Sequence, residues 1–289
     1  MHVLVSGGTG FVGQRVIDHL LARNHAVTVI SRAPASAEAV FGARVTACDY
    51  DSLPETFDAV VNLAGATLDK RWTTAQKQRI LDSRVEITRK LISTAESRGA
   101  TRFVSTSAVG YYGNRGDETL DEDSSPGTDF LSDVCVQWEK AAKSDKLAVG
   151  IIRLGIVLHH SGGALGVMLP LFRWFLGGRL GSGHQYWPWI HLDDAAALYV
   201  FMLEGRHEGV VSGTAPEPVT NREFTRKLAG AVHRPVSLPV PAFALRILYG
   251  EMADMLLNGQ RAIPRRTLKL GFTFRHGDLP GALENALAD

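Results

Sequence analysis

The stretch from His2 to Gly13, HVLVSGGTGFVG, leaves the chain few folds to adopt. Val3, Leu4 and Val5 make an apolar run too short for a helix and suited to a buried parallel strand. Gly7, Gly10 and Gly13 follow at three-residue spacing, and Val12, Val16 and Leu20 then fall on one helical face. The reading is strand, glycine turn, helix. Such a turn presents backbone N–H groups at a helix N-terminus, where a pyrophosphate can sit without side chains in its way. Gly7, Thr9, Gly10, Phe11, Val12 and Gly13 are therefore expected to contact a dinucleotide.

The next strand, Ala26–Ile30, decides which dinucleotide. An acid at its end would accept from the ribose hydroxyls and repel a 2′-phosphate. The chain has Ser31 and Arg32 there instead, a hydroxyl and a guanidinium that suit the phosphate, so NADP(H) is the expected cofactor. Strands are expected at Ala43–Ala47, Ala59–Leu63, from Arg102 into Ser105-Thr106-Ser107, and at Gly150–Val157, with helices at Thr73–Ser97 and Asp129–Ala142 between them. That alternation implies an α/β fold with a Rossmann-type, doubly wound parallel sheet. Asp49, after the third strand, either accepts from the adenine amine or caps the short turn that follows it. Leu63, Ala64 and Gly65 close the fourth strand with a backbone able to pass close to the dinucleotide, and Arg84 on the long helix joins the cofactor set.

Beyond residue 158 the pattern loosens into glycine loops, the apolar run MLPLFRWFL, the segment WPWIHLDD with a helix from Ala195 to Leu203, and a proline-punctuated remainder. Residues 1–158, completed by part of 185–215, read as the nucleotide-binding domain. Residues 159–289 read as a smaller, mixed and discontinuous substrate lobe that ends in a module from about residue 239. Met168, Leu171, Phe172, Trp174 and Trp187 are expected to line an apolar substrate pocket, although a run such as MLPLFRWFL is most often an amphipathic helix packed on its own domain, and could also lie on a membrane.

The balance of 31 basic and 30 acidic residues implies neither a nucleic-acid nor a membrane partner. Two cysteines, Cys48 and Cys135, suit neither a disulfide framework nor a zinc site, and no metal is expected. No apolar run reaches membrane-spanning length. A nucleotide strand beginning at residue 2 leaves no room for a signal peptide, which makes the cytoplasm the expected compartment. A monomer or homodimer is the expected state.

GGTGFVG, the strand end NLAG, STSAVGYYG and WIHLDD together resemble the extended branch of the short-chain dehydrogenase/reductase superfamily. SAVGYYG, the GGAL of Gly162 to Leu165 and NGQRAIPRRTLKLGFTF resemble, more narrowly, its atypical epimerase-family subgroup. The resemblance implies a proton relay in which a Ser holds the substrate oxygen and a Tyr, four residues before a Lys on one helix face, moves the proton. Carried onto this chain, the serine is Ser107, with Thr106 beside it. The Tyr and Lys positions hold Cys135 and Glu139, and Lys140 lies about 100° round the helix from the lysine position. A glutamate would raise a neighbouring acid's pKa instead of lowering it. Tyr111 and Tyr112 are the replacement donors the sequence offers, if they do not simply pack as an aromatic wall. Cys135 reads as a small buried hydrophobe and His191 as a structural residue. The expected function is an NADP(H)-dependent oxidoreductase or epimerase-like enzyme on a small substrate. The rival is a silent NADPH-binding sensor that reports redox state.

Overall fold

In a computed structural model, which describes residues 1–288, β1 (His2–Ser6) and α1 (Phe11–Ala22) flank the glycine turn. Then come β2 (Ala26–Ile30), α2 (Pro34–Phe41), β3 (Thr46–Cys48), β4 (Ala59–Asn62), α3 (Thr74–Ser97) and β5 (Arg102–Ala108). A two-residue strand β6 (Thr119–Leu120) precedes α4 (Phe130–Ala141), β7 (Ala148–Leu154), β8 (Ile156–Leu158) and α5 (Gly163–Arg173). After β9 (Tyr186–Trp187), β10 (Trp189–His191), α6 (Leu192–Glu204) and β11 (Gly209–Gly213), the chain runs through β12 (Val219–Thr220) and α7 (Asn221–Ala231). It ends with α8 (Ala242–Tyr249), α9 (Ala253–Leu257), β13 (Arg261–Ala262), α10 (Arg265–Lys269) and α11 (Leu279–Ala288).

Seven strands form one parallel sheet in the order β11-β7-β5-β4-β1-β2-β3, the doubly wound arrangement expected. Its strands are apolar on both faces because helices cover both. Alternation along β1 sends Val3 and Val5 to one face, against Val16, Ile17 and Leu20 of α1 and Leu198 and Tyr199 of α6. Leu4 points the other way, against Leu91, Ile92 and Ala95 of α3. Each such fully buried aliphatic contributes about 1.5–3 kcal/mol relative to exposure.

Two expected strands differ. The third begins only at Thr46, because Gly42, at φ +60°, ends α2 in a left-handed turn and Gly42–Arg44 forms a short 3-10 helix. The sixth breaks at Gly155, where a Cβ would stand 2.5 Å from the Pro188 carbonyl oxygen. Beyond that break β8 leaves the main sheet and pairs with β10, which opens the C-terminal end of β7.

The second half builds its own core. Leu165, Leu169 and Phe172 of α5 pack with Trp187, Trp189, Phe224, Leu228, Leu279 and Leu283. This α5 is therefore an amphipathic helix buried on its own domain. The C-terminal segment is fastened back by β13, which pairs with β6, and by buried Glu122, whose carboxylate accepts from the Ser212 N–H at 2.9 Å and the Arg266 N–H at 3.0 Å. Among the described residues no helix is long and apolar enough to cross a membrane.

Candidate functional site

The C-terminal ends of the parallel strands carry the site, as this topology dictates. Gly7 takes φ +77°, and a Cβ there would lie 2.6 Å from the Leu63 carbonyl carbon, so the glycine turn and the NLAG strand end touch backbone to backbone. A Cβ on Gly13 would overlap the Gly7 carbonyl oxygen. A Cβ on Gly10, by contrast, meets only the Gly7 oxygen at 3.2 Å and otherwise points into open space. Gly10 is also the N-cap of α1, and no side chain caps that helix. The first-turn N–H groups are thus left for an anion, and the cradle fits a pyrophosphate.

At the end of β2, Arg32 is exposed and has no ion-pair partner among the described residues. Ser31 behaves otherwise than expected. Its hydroxyl donates to the Ala33 carbonyl at 3.0 Å and accepts from the Ala33 N–H at 3.1 Å, so its one proton is spent inside its own turn. Asp49 resolves towards the turn-capping alternative. Its Oδ1 accepts from the Asp51 N–H, the Ser52 N–H and the Ser52 hydroxyl, which hold its carboxyl below the usual range.

Beside the cradle lies a cavity of about 570 Å³. Thr106, Ser107, Arg84, Cys135, Trp138, Trp72, Trp187 and the overhanging Met255 and Asn258 are among its walls. Of the expected pocket residues only Trp187 lines it. Phe172 is buried in the second core, whereas Leu171 and Trp174 sit on the outer face of α5, because that helix turns its apolar stripe inward.

The relay positions form a network. Helix α4 starts at the Asp129 N-cap, whose carboxylate accepts from the Ser132 N–H, and it points Cys135 and Glu139 inward while Lys140 stays exposed. The Ser107 hydroxyl donates to Glu139 Oε1 at 2.7 Å. Arg153, on the adjacent β7, grips the same carboxylate with Nε at 2.8 Å and Nη2 at 2.9 Å. Its Nη1 donates to the Tyr112 hydroxyl and the Glu122 carbonyl, both at 3.2 Å. Burial works against the Arg153 charge, and the paired Glu139 outweighs it and holds the guanidinium above its ordinary range. Burial, reinforced by Glu139, pushes the Cys135 thiol up to about 12, so it keeps its proton.

The structure places Tyr111 and Tyr112, the expected donors, outside the cavity. The Tyr111 ring lies on the Arg153 guanidinium, 3.4 Å from centroid to carbon, and Tyr112 is fully buried, with burial raising its phenol. Thr106 is committed as well: its hydroxyl donates to the Asn62 carbonyl at 2.9 Å and accepts from Tyr199 at 2.6 Å. Arg153 was the residue the sequence reading missed. The signal was a lone arginine in the apolar strand GIIRLGIV, which demands a buried partner.

His191 sits at the N-cap of α6. Its Nδ1 accepts from the Asp193 N–H at 3.1 Å and caps α6, which leaves the ring proton on a buried, unpartnered Nε2. Ligand atoms of His191, Asp193 and His276 lie within 4.8 Å of one another. Asp193 is already engaged by Arg15 and His19, however, and the His191 tautomer offers a cation no Nε2 lone pair.

Residues 3–133 match the NAD dependent epimerase/dehydratase family, and residues 240–286 match a domain of unknown function, DUF1731. The chain is 41% identical to the chloroplastic epimerase family protein SDR39U1 homolog of Arabidopsis thaliana, over 98% of this chain and 86% of that one. The crystal structure of human epimerase family protein SDR39U1 with NADPH superposes at a TM-score of 0.92, with 38% identity over the whole of both chains. A nucleoside-diphosphate sugar epimerase from Corynebacterium glutamicum superposes at 0.78 with 31% identity, over 99% of this chain and 58% of that one. The cradle, the parallel sheet and the C-terminal module are thus parts that recur together, and the chain belongs to the epimerase family.

Proposed function

We propose that this chain is an NADP(H)-dependent oxidoreductase that reduces a small conjugated carbonyl compound. Gly7, Thr9, Gly10, Phe11, Val12 and Gly13 would hold the pyrophosphate, Leu63 to Gly65 would flank the dinucleotide, and Arg32 would take the 2′-phosphate. NADPH, when bound, supplies a hydride. The NADPH in the human relative's structure and the unpaired Arg32 support this choice of cofactor.

One observation carries the reading of the substrate: Ser107 and Cys135, the relay-position side chains that reach the cavity, have no proton to give. Ser107 gives its proton to Glu139, which is the carboxylate side of an ion pair and brings none in return. Cys135 holds its proton too tightly to donate. An isolated ketone held at Ser107 would become an alkoxide that neither relay position can protonate. A quinone or enone spreads the arriving charge over its own conjugated system and takes its proton from water. Aromatic walls, Trp72, Trp138 and Trp187, suit such a flat acceptor.

The test has two parts. NADPH and NADH are titrated into wild type and Arg32→Ala. Wild type should prefer NADPH at least tenfold, about 1.4 kcal/mol, and the variant should lose most of that preference. Single-turnover NADPH oxidation is then read against quinones, enones, aldehydes and simple ketones. Quinones or enones should react and should still react in Ser107→Ala. A preference for simple ketones, lost in Ser107→Ala, overturns the reading. Tight NADPH binding with no acceptor reduced puts the sensor in its place.

A further inference from the structure

We infer that Arg84 is the anchor for a carboxylate on the substrate, so that the cavity takes a flat, conjugated monoanion. The inference rests on the oxidoreductase reading in treating this cavity as the substrate's.

Arg84 stands on α3 with its guanidinium in the cavity wall, 5.2 Å from the Trp138 ring centroid. A guanidinium has five N–H donors. Nη1 donates to the Ile80 carbonyl at 3.1 Å and reaches the Ser83 hydroxyl at 3.5 Å, and Nη2 donates to the Ala66 carbonyl at 3.1 Å. Among the described residues Nε–H and one Nη2 hydrogen have no partner. Two donors on adjacent nitrogens are what a bidentate carboxylate requires.

The charge is as telling as the donors. No carboxylate pairs with Arg84 among the described residues, and burial lowers its pKa, the mark of a cation left uncompensated. Every other charged group in this wall has an assignment. Lys77 pairs with Glu251, Asp254 faces Arg246 at 3.4 Å, and Asp129 caps α4. A purely structural strut between the Ala66 and Ile80 carbonyls would account for the bound donors and would leave the charge unexplained. Arg84 is expected at the cofactor, and its guanidinium does pack on Gly65 and Ala66 at the NLAG strand end. It also lines the cavity with Trp138, Cys135 and Thr106, beside the relay serine, where a hydride acceptor would lie. The cavity's volume, about 570 Å³, accommodates one or two fused rings and a side arm.

The experiment uses calorimetric titration of phenylacetate, cinnamate and 2-naphthoate, each against its neutral amide, into wild type, Arg84→Gln and Arg84→Lys. NADPH affinity is read in parallel from nucleotide fluorescence, and folding from circular dichroism. Wild type should bind at least one acid ten times more tightly than its amide. Arg84→Gln should abolish that preference with NADPH affinity unchanged, and Arg84→Lys should recover part of it. No acid preference across the series in wild type overturns the inference. So does an Arg84→Gln variant that weakens NADPH and spares the acids, which would return Arg84 to the cofactor. Because acids and nucleotide are titrated separately, a failure of NADPH to bind would count against the oxidoreductase reading alone.

Discussion

Removing Glu139 should destabilise the protein far more than removing any surface carboxylate. The Arg153 and Glu139 side chains are only 4% and 12% exposed, so neither charge has water to fall back on. In Glu139→Ala the guanidinium loses the two bonds from Nε and Nη2, and Ser107 loses its acceptor. Stripping one partner from a buried pair costs about 3–5 kcal/mol. Arg153 keeps the Tyr112 hydroxyl, the Glu122 carbonyl and the face of Tyr111, which argues for the lower end, about 3 kcal/mol. The orphaned Ser107 adds about 1 kcal/mol. Urea unfolding followed by circular dichroism should show the midpoint falling by about 1.3 M for an m-value of about 3 kcal/mol/M. The double variant Glu139→Leu with Arg153→Met should recover most of the loss, since an apolar pair of similar volume avoids desolvating two charges. Asp18→Ala is the internal control: its Arg44 partner is 56% exposed, and the change should stay within about 0.5 kcal/mol. A loss under about 1 kcal/mol in Glu139→Ala, or a double variant as damaged as the two singles combined, would refute the reasoning.

Acid should weaken the fold through His191, whose pKa is lowered to about 4, chiefly by burial and then by His276, with His159 and Arg15 adding and Asp193 opposing. Between about pH 6.5 and pH 4 the unfolded chain binds this proton and the folded one does not, so stability rises with pH in that window and is lost as pH falls, on the order of 3 kcal/mol in all. Urea midpoints at pH 7 and pH 4.5 should diverge less in His191→Asn, which can still cap α6, and an unchanged pH dependence would sink the assignment. Gly10→Val should keep its fold, since Gly10 sits at φ −75° and its Cβ would meet only the Gly7 oxygen, at 3.2 Å, yet it should lose NADPH binding. Gly13→Ala should instead lower the melting temperature, because its Cβ meets the Gly7 carbonyl. Melts in which Gly10→Val were the less stable of the two would reverse the roles given to these glycines.

Much of the frame was legible because it is local. A three-residue apolar run followed by glycines at fixed spacing needs no distant partner to be read, and neither does the Thr73 cap that starts α3. The broken sixth strand was not legible, since Gly155 matters only through Pro188, which lies far along the chain. The pocket was misread for a similar reason. MLPLFRWFL is apolar enough to line a cavity, but which side faces inward depends on α7 and α11, which complete the core around it. Ser31 looked like a phosphate ligand by residue type alone, and only the turn geometry shows its proton spent on Ala33.

The network around Ser107 also explains why two departures from the expected relay occur together. A glutamate at the lysine position would by itself leave a buried negative charge beside the serine, and the cost of that is several kcal/mol. Arg153 removes the cost, but only by occupying the carboxylate on both oxygens, so that Glu139 serves as a fixed acceptor for Ser107. With the serine proton committed inward and the Arg153 charge already matched, a tyrosine at position 135 would face the Glu139 carboxylate, which raises its pKa, with Arg84 as the one cation acting on it the other way. The small thiol of Cys135 fits that setting, filling the position without titrating. A lysine restored at position 139 would confront Arg153 across less than 3 Å of the present ion pair, so regaining the usual relay requires changing β7 as well as α4. The residues at positions 135, 139 and 153 thus form one electrostatic unit.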